Sequence, residues 1–221
     1  MFDIKVIFFD TETTGLNCLN CKIIELAMLT VEDGEITEEY DKFVNVGKPL
    51  SQKVKKITGI TDDTLKSEGV DEKTIAVDLK ERLTEGILMI AYNCQFDLLF
   101  VYYLLKRNFP DEAFKIVSNV DWLDALSVFK DRRNPPHKLI DAVEKYELKK
   151  VNFHRAIDDT KALHAVTLAM KHERNDLKGY INIFGYDPKY GVGKEFPFIT
   201  YKRQPYHNRG LLPEEYTLPN R

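Results

Sequence analysis

The chain up to about residue 174 alternates between short apolar runs and longer periodic segments. A run rich in β-formers over 5–12, "KVIFFDTE", predicts the first strand. Residues 22–46 predict two or three more strands, with a turn at "EDG" over 32–34. The remaining pattern predicts a helix over 70–86, a strand over 87–93, a helix over 95–108, a strand over 114–121, a helix over 123–129, and helices over 138–148 and 156–176.

This order of elements predicts the fold class. Strands come first and then alternate with helices, which is typical of an α/β domain with a mixed sheet, here over residues 1–174. Residues 175–221 are rich in Gly, Pro and aromatic residues and show no helical period. We expect an irregular, partly β C-terminal extension that packs on the domain or lies at a partner interface.

Composition narrows the class of protein. Apolar residues at 43% and aromatic residues at 11% are sufficient for a large core and exclude a disordered chain. The net charge of −3 neither indicates nor excludes nucleic-acid binding, because a local basic patch can lie beside an acidic metal site. No apolar run reaches the roughly 18 residues of a membrane-spanning helix. The N-terminus, with an acid at position 3, does not resemble a signal peptide.

The three cysteines predict a reduced, cytoplasmic setting. They are odd in number and too few for a disulfide scaffold. Cys18 and Cys21 form a CxxC motif, but no second pair completes a zinc site, and a thioredoxin-like context is missing. We therefore interpret them as two reduced thiols in a loop.

Two acids follow the first apolar run. Asp10 and Glu12 are two residues apart in a predicted strand, so their side chains point to the same face and repel each other unless a cation or proton lies between them. Two surface acids at the end of a strand are the simpler interpretation. The "TTG" that follows them favours a functional site, because it predicts a tight turn that exposes backbone N–H groups.

Further acids lie near the starts of two predicted helices. Asp97 begins an apolar helix, and Asp158 and Asp159 follow His154 at the start of another. Each alone is typical of an acid that a helix dipole favours. Together with Asp10 and Glu12 they lie where clefts form in α/β sheets, and converging carboxylates require a divalent cation. Oxygen ligands favour Mg²⁺ or Mn²⁺, and two such ions about 3.5–4 Å apart suit attack on a phosphodiester.

Three stretches of the sequence resemble a known family. "FDTETTG", "YNCQFD" and "HRAIDD", in this order, are similar to the three motifs of the DEDDh 3′–5′ exonucleases. This DnaQ-like group, within the ribonuclease H-like fold, includes the proofreading subunit of bacterial replicative polymerase. The resemblance extends over about residues 4–170 and implies a mixed five-stranded sheet flanked by helices.

The resemblance implies roles for individual residues. Asp10, Glu12, Asp97 and Asp159 would bind two divalent ions, Mg²⁺ or Mn²⁺, and His154 would be the general base. Asp158 would be a neighbour of the metal site and not a ligand. The residues implied in substrate binding are Thr13, Gly15, Leu16, Thr58, Asn93 and Phe96. Tyr92 departs from the family, in which many members have histidine at this position.

The predicted function is a metal-dependent 3′–5′ exonuclease that releases nucleoside 5′-monophosphates from single-stranded or frayed DNA. The alternative substrate is RNA, although "TETTG" resembles the DNA-proofreading type more closely. A non-catalytic module that binds nucleic-acid ends or a polymerase is the alternative from another class. A DNA polymerase or a second copy of the chain is a candidate partner. Lysines 53, 55 and 56 and the "KDRR" run over 130–133 are candidates for phosphate contacts.

Overall fold

The computed structural model describes residue 2 and residues 4–149, 155–186 and 195–204. Within these ranges five strands form the main sheet: β1 (Val6–Thr13), β2 (Ile23–Glu32), β3 (Glu35–Phe43), β4 (Leu88–Ala91) and β5 (Asp121–Asp124). Their order is β3-β2-β1-β4-β5. β1, β2 and β3 pair in antiparallel fashion, whereas β4 pairs in parallel with both β1 and β5. The expected mixed five-stranded sheet is therefore confirmed.

Helices cover both faces of this sheet. Their bounds are α1 (Gln52–Thr58), α2 (Asp62–Ser67), α3 (Glu72–Arg82), α4 (Cys94–Asn108), α5 (Ala113–Ser118), α6 (Ala125–Arg132), α7 (Leu139–Lys145) and α8 (Ala156–Glu173). Ile7 and Phe9 of β1 belong to a core with α3, α4 and α5. Val6 and Phe8 belong to a second core with α6, α7 and α8. The alternation of side chains along β1 thus separates two helical layers.

One predicted element is wrong and another is shifted. The strand expected over 114–121 is instead largely helix α5, and the strand of this region is β5. β-branched residues suggested a strand, but Ala113, Ile116 and Val117 recur at helical spacing and are buried. The helix expected over 123–129 begins at Ala125, because Asp124 ends β5 and caps the helix.

The described part of the C-terminal segment packs against the sheet edge. It contains a 3₁₀ turn over Leu177–Tyr180 and two short parallel strands, β6 (Ile183–Tyr186) and β7 (Thr200–Arg203). Asn182 exchanges hydrogen bonds with the backbone of Trp122 in β5, at 2.7 and 2.9 Å. Phe184 and Phe196 are buried in the α4 core. A domain boundary at residue 174 stays a prediction.

No helix in the described ranges is long and apolar enough to cross a membrane.

Candidate active site

The end of β1 carries the first two acids. β1 pairs with β4 only as far as Phe8, but it pairs with β2 along its whole length. Asp10 and Glu12 therefore lie beyond the carboxyl-terminal side of the parallel pairing, where one edge of β1 is open. Their side chains project on the same face as Phe8, as the two-residue spacing predicts.

Helix α8 brings a third acid to this face. It packs along β1, where the ring of His164 lies 4.8 Å from that of Phe8. Asp159 is in its first turn. Asp10, Glu12 and Asp159 each offer a carboxylate oxygen, and the three oxygens all lie within 4.8 Å of one another. Residues far apart in sequence thus form one cluster of oxygen donors.

Asp97 approaches from the opposite face of the sheet. It lies in the first turn of α4 and is only 3% exposed. The hydroxyl of Thr11, which points to the α4 side of β1, donates a hydrogen bond of 2.6 Å to its Oδ1. Asp97 is not one of the three acids within 4.8 Å of one another, but its charge reaches Asp10 and helps raise the pKa of that carboxyl. The structure therefore places Asp97 beside the cluster.

The electrostatics of the cluster disfavour negative charge. Burial raises the pKa of Asp10 well above its ordinary value, and the charges of Asp97, Asp159 and Glu12 raise it further. Burial and the charge of Asp159 raise the pKa of Glu12 to about 8. Burial raises the pKa of Asp97 to about 7 despite the hydrogen bond from Thr11. A bound cation would reverse these shifts by neutralising the converging charges.

This donor set fits the divalent metal that the resemblance implies. Three partly buried carboxylates offer hard oxygen ligands, which Mg²⁺ and Mn²⁺ prefer. Asp158 is not part of the three-oxygen group. His154, the predicted general base, lies outside the described residues. Its role stays a prediction.

The predicted substrate residues next to β1 form a compact turn. The hydroxyl of Thr13 donates a 2.7 Å hydrogen bond to the carbonyl of Gly15. A β-carbon on Gly15 would come within 2.9 Å of the sulfur of Cys21, so a side chain at this position would require Cys21 to move. Leu16, the next residue, is 85% exposed. The turn therefore presents an apolar side chain to solvent beside the acids.

The other predicted substrate residues have different surroundings. Thr58 is buried, and its hydroxyl donates to the carbonyl of Val54 at 3.0 Å. Phe96 is partly buried, and its ring lies 4.8 Å from that of Phe100. Asn93 has a φ of 70°, a left-handed conformation at the start of α4. Substrate contacts by these residues stay predictions.

Asp124 is a buried acid to which the sequence analysis assigned no role. Its Oδ1 accepts hydrogen bonds from the backbone N–H groups of Asn93 and Cys94 at 3.0 and 3.1 Å. Its other oxygen accepts from the hydroxyl of Ser127. Asp124 thus fixes the first residues of the helix that carries Asp97. The signal for this role in the sequence is an acid between an apolar strand and a helix, in "WLDAL".

Tyr92 joins the same end of the sheet to a loop. Its hydroxyl donates a 2.8 Å hydrogen bond to the carbonyl of His137. The side chain packs in the α8 core. Tyrosine at this position therefore has a packing role.

Three of the six basic residues proposed for phosphate contacts form ion pairs. The Arg132 side chain is only 3% exposed and pairs with Glu173 and Asp176. Arg133 also pairs with Glu173. Lys55 pairs with Asp62 at 2.5 Å. The buried Arg132 is held by partners within the fold, whereas phosphate contacts by the other basic residues stay a prediction.

Similarity to a known protein family identifies the class of this protein. The model of a family described as Exonuclease, RNase_T, matches residues 7–167, more than two thirds of the chain. The chain belongs to this exonuclease family. The expected membership in the DEDD-type 3′–5′ exonucleases of ribonuclease H-like fold is confirmed.

Relatives in this family are large proteins. The chain is 35% identical over 164 residues to DNA polymerase III PolC-type of Bacillus subtilis. This alignment covers 74% of the chain and 11% of that protein. The corresponding protein of Halalkalibacterium halodurans is 33% identical over 162 residues, with 73% and 11% covered. The chain thus spans about a tenth of the length of these relatives.

Solved structures share the fold. The zinc-bound E. coli ExoI–ssDNA complex has a TM-score of 0.71 and 20% identity, and the match covers 81% of this chain and 43% of that one. An exonuclease I from Methylocaldum szegediense has a TM-score of 0.70 and 19% identity, with 79% and 42% covered. At this identity the likeness concerns the fold, and the ribonuclease H-like class expected from the sequence is confirmed.

Proposed function

We propose that this protein is a metal-dependent 3′–5′ exonuclease that shortens single-stranded or frayed DNA from its 3′ end. The observation that carries the proposal is the convergence of Asp10, Glu12 and Asp159, with oxygens within 4.8 Å, in a chain of the exonuclease family. When bound there, two divalent ions, Mg²⁺ or Mn²⁺, supply positive charge that activates a water molecule and stabilises the charge developing on the phosphate.

Each site residue then has a defined task. Asp10, Glu12 and Asp159 would hold the ions, and Asp97, which lies beside this cluster, would be the fourth ligand. His154 would accept the proton of the attacking water, a role that suits histidine because the unperturbed pKa of its side chain is near 6.5. Thr13 and Gly15 contact the terminal nucleotide through the backbone, while Leu16, Thr58, Asn93 and Phe96 surround its base and sugar. Contact with an apolar base face is independent of sequence, because every base has one. The product is a nucleoside 5′-monophosphate.

DNA is favoured over RNA by the relatives. The two PolC-type proteins compared above carry DNA polymerase in their names and match the chain at 33–35% identity over the region that holds the site. The same relatives support association with a DNA polymerase as one partner hypothesis. A homodimer is the other. The cytoplasmic setting stays a prediction, consistent with the three free cysteines.

A 3′-end assay tests the proposal. Matched DNA and RNA oligonucleotides labelled at the 5′ end are incubated with the protein and Mg²⁺ or Mn²⁺. We expect a ladder of shortened DNA products, little digestion of RNA, and complete inhibition by EDTA. Asp10→Ala is the control for a contaminating nuclease, and its products should be absent.

Two outcomes would replace the proposal. Faster digestion of RNA than of DNA would favour the exoribonuclease alternative. No digestion of either, combined with no Mn²⁺ binding, would favour the non-catalytic binding module.

A further inference from the structure

A fully buried glutamate lies next to the proposed metal site. Glu25 of β2 is 0% exposed and is the cross-strand partner of Glu12. Its Oε1 accepts a hydrogen bond of 2.9 Å from Nε of Arg155 and lies 2.9 Å from Nη2 of the same guanidinium in an ion pair. Its Oε2 accepts the backbone N–H of Ala156 at 3.2 Å. One carboxylate thus binds the side chain and the backbone of the residues that begin α8.

The start of α8 determines where Asp159 lies. The carbonyl of Arg155 accepts the N–H of Asp159 at 3.0 Å, which closes the first turn of the helix. Because Glu25 fixes Arg155 and Ala156 to β2, it fixes this turn to the strand beside β1. These contacts, from Glu25 through Arg155 to Asp159, place the carboxylate of Asp159 near those of Asp10 and Glu12.

The Arg155 side chain has further partners on the same sheet. Its Nη2 lies 3.7 Å from Asp41, and its guanidinium lies 5.0 Å from the ring centroid of Phe43. A guanidinium held by two acids and an aromatic ring has little rotational freedom. Arg155 also directly follows His154, the predicted base.

Burial of an ion pair rarely adds stability over apolar packing of the same shape. A buried carboxylate beside three other acids is less favourable still, because it adds negative charge to a crowded site. Its presence therefore calls for a role other than stability. In metal sites, buried groups that hydrogen-bond to the metal ligands or to their neighbours commonly orient those ligands.

We propose that Glu25 is a positioning residue for the metal site: it holds the start of α8 so that Asp159 reaches the carboxylates of Asp10 and Glu12. The inference rests on the proposed metal-dependent function. It concerns geometry, since Glu25 lies beside Glu12 on the neighbouring strand and is not one of the three acids whose oxygens converge.

The experiment measures Mn²⁺ affinity by isothermal titration calorimetry, together with kcat and KM on a single-stranded DNA oligonucleotide. Glu25→Gln keeps the size of the side chain and an acceptor for Ala156, but it removes the charge that holds Arg155. We expect Mn²⁺ affinity to fall about tenfold, within the range for residues that support metal ligands. kcat at fixed Mn²⁺ should fall in parallel and recover at higher Mn²⁺, whereas KM for DNA should change less than about twofold.

Two comparison variants make the result specific. Arg155→Lys keeps the positive charge but lacks the planar guanidinium with its several N–H donors. We therefore expect a smaller loss of Mn²⁺ affinity, roughly threefold. It also tests the inference if Glu25→Gln does not fold. Glu173→Gln removes an acid that pairs with arginines at the other end of α8, and it should leave Mn²⁺ affinity unchanged.

The outcomes separate the inference from the function on which it rests. The inference would be overturned, and the proposed function left intact, if the folded Glu25→Gln protein had the Mn²⁺ affinity and kcat of the parent. If Glu25→Gln does not fold, the same result with Arg155→Lys would overturn it. An equal loss of affinity in Glu173→Gln would also overturn it, because any loosening of α8 would then suffice. Absence of Mn²⁺ binding in the unmodified protein would contradict the proposed function and the inference together.

Discussion

The two ends of helix α8 use charge in opposite ways. At its C-terminal end, Arg132 donates to the carbonyl of Met170 at 2.5 Å and pairs with Glu173 and Asp176. Cations near a helix C-terminus interact favourably with its dipole. Arg133 adds a second positive charge on Glu173. Positive and negative groups are therefore matched at this end.

At the N-terminal end, acids outnumber bases among the residues that the structure describes. Asp10, Glu12 and Asp159 meet there, and Arg155 is already engaged by Glu25. Burial, together with this surplus of negative charge, raises the pKa of Glu12 to about 8. A site whose charges balance stabilises the fold by itself, whereas a site with surplus negative charge is suited to a cation from solution. The comparison therefore distinguishes a structural cluster of charges from the proposed metal site.

The largest expected difference between the two ends is in activity. Asp159→Asn should lower kcat on single-stranded DNA about a thousandfold, equal to roughly 4 kcal/mol of transition-state stabilisation, because it removes a proposed metal ligand. Glu173→Gln, on the same helix, should stay within about twofold of the parent. Equal activity of the two variants in a steady-state assay would contradict the distinction.

The C-terminal end should dominate stability. Arg132→Ala leaves Glu173 and Asp176 without their buried partner and should lower the free energy of unfolding by about 3 kcal/mol. Urea denaturation measures this change. Mn²⁺ affinity of the folded variant should equal that of the parent, and a tenfold loss would show that the two ends are coupled.

Metal should stabilise the protein through the N-terminal end. At about 100 times its Kd, Mn²⁺ is expected to add about 2.7 kcal/mol, which raises Tm by roughly 5–10 °C. Differential scanning fluorimetry with Mn²⁺ or EDTA checks this shift. Asp10→Asn should lose most of the response and Glu173→Gln should keep it. A Tm that does not change with Mn²⁺ would rule out tight binding to the folded state.

The metal-free protein should also show a pH dependence of stability. The pKa of Glu12 is raised from 4.5 to about 8 by burial and by Asp159, so the folded state holds its proton more tightly than the unfolded chain. The corresponding stability is present below about pH 4.5 and is lost as the pH rises through about 8. Asp97, with a pKa of about 7, acts in the same direction.

In EDTA, Tm should therefore fall between these pH values, and Glu12→Gln should reduce the fall. The variant should be more stable than the parent near the upper value and similar to it near the lower one. A parent Tm that rises over this window would contradict the predicted surplus of negative charge.

Much of the candidate site could be predicted from the sequence, because the patterns that indicate it are local. Asp10 and Glu12 share a face of one strand, and Asp159 lies in the first turn of one helix. The motif resemblance joined these pieces into one family before any contact was visible. The strand expected over 114–121 was wrong because local propensity does not reveal which face of a short segment is buried.

The sequence by itself determined the fold class, the family and the acids that converge at the end of β1. Only the tertiary structure decided that Asp97 reaches Thr11 from the other face, that Glu25 holds Arg155, and that Arg132 belongs to an ion-pair cluster. Glu25 and Arg155 are 130 residues apart, and Arg132 and Asp176 are 44 apart. Such pairs depend on how strands and helices pack, and a local pattern of residues contains no information about a partner so distant along the chain.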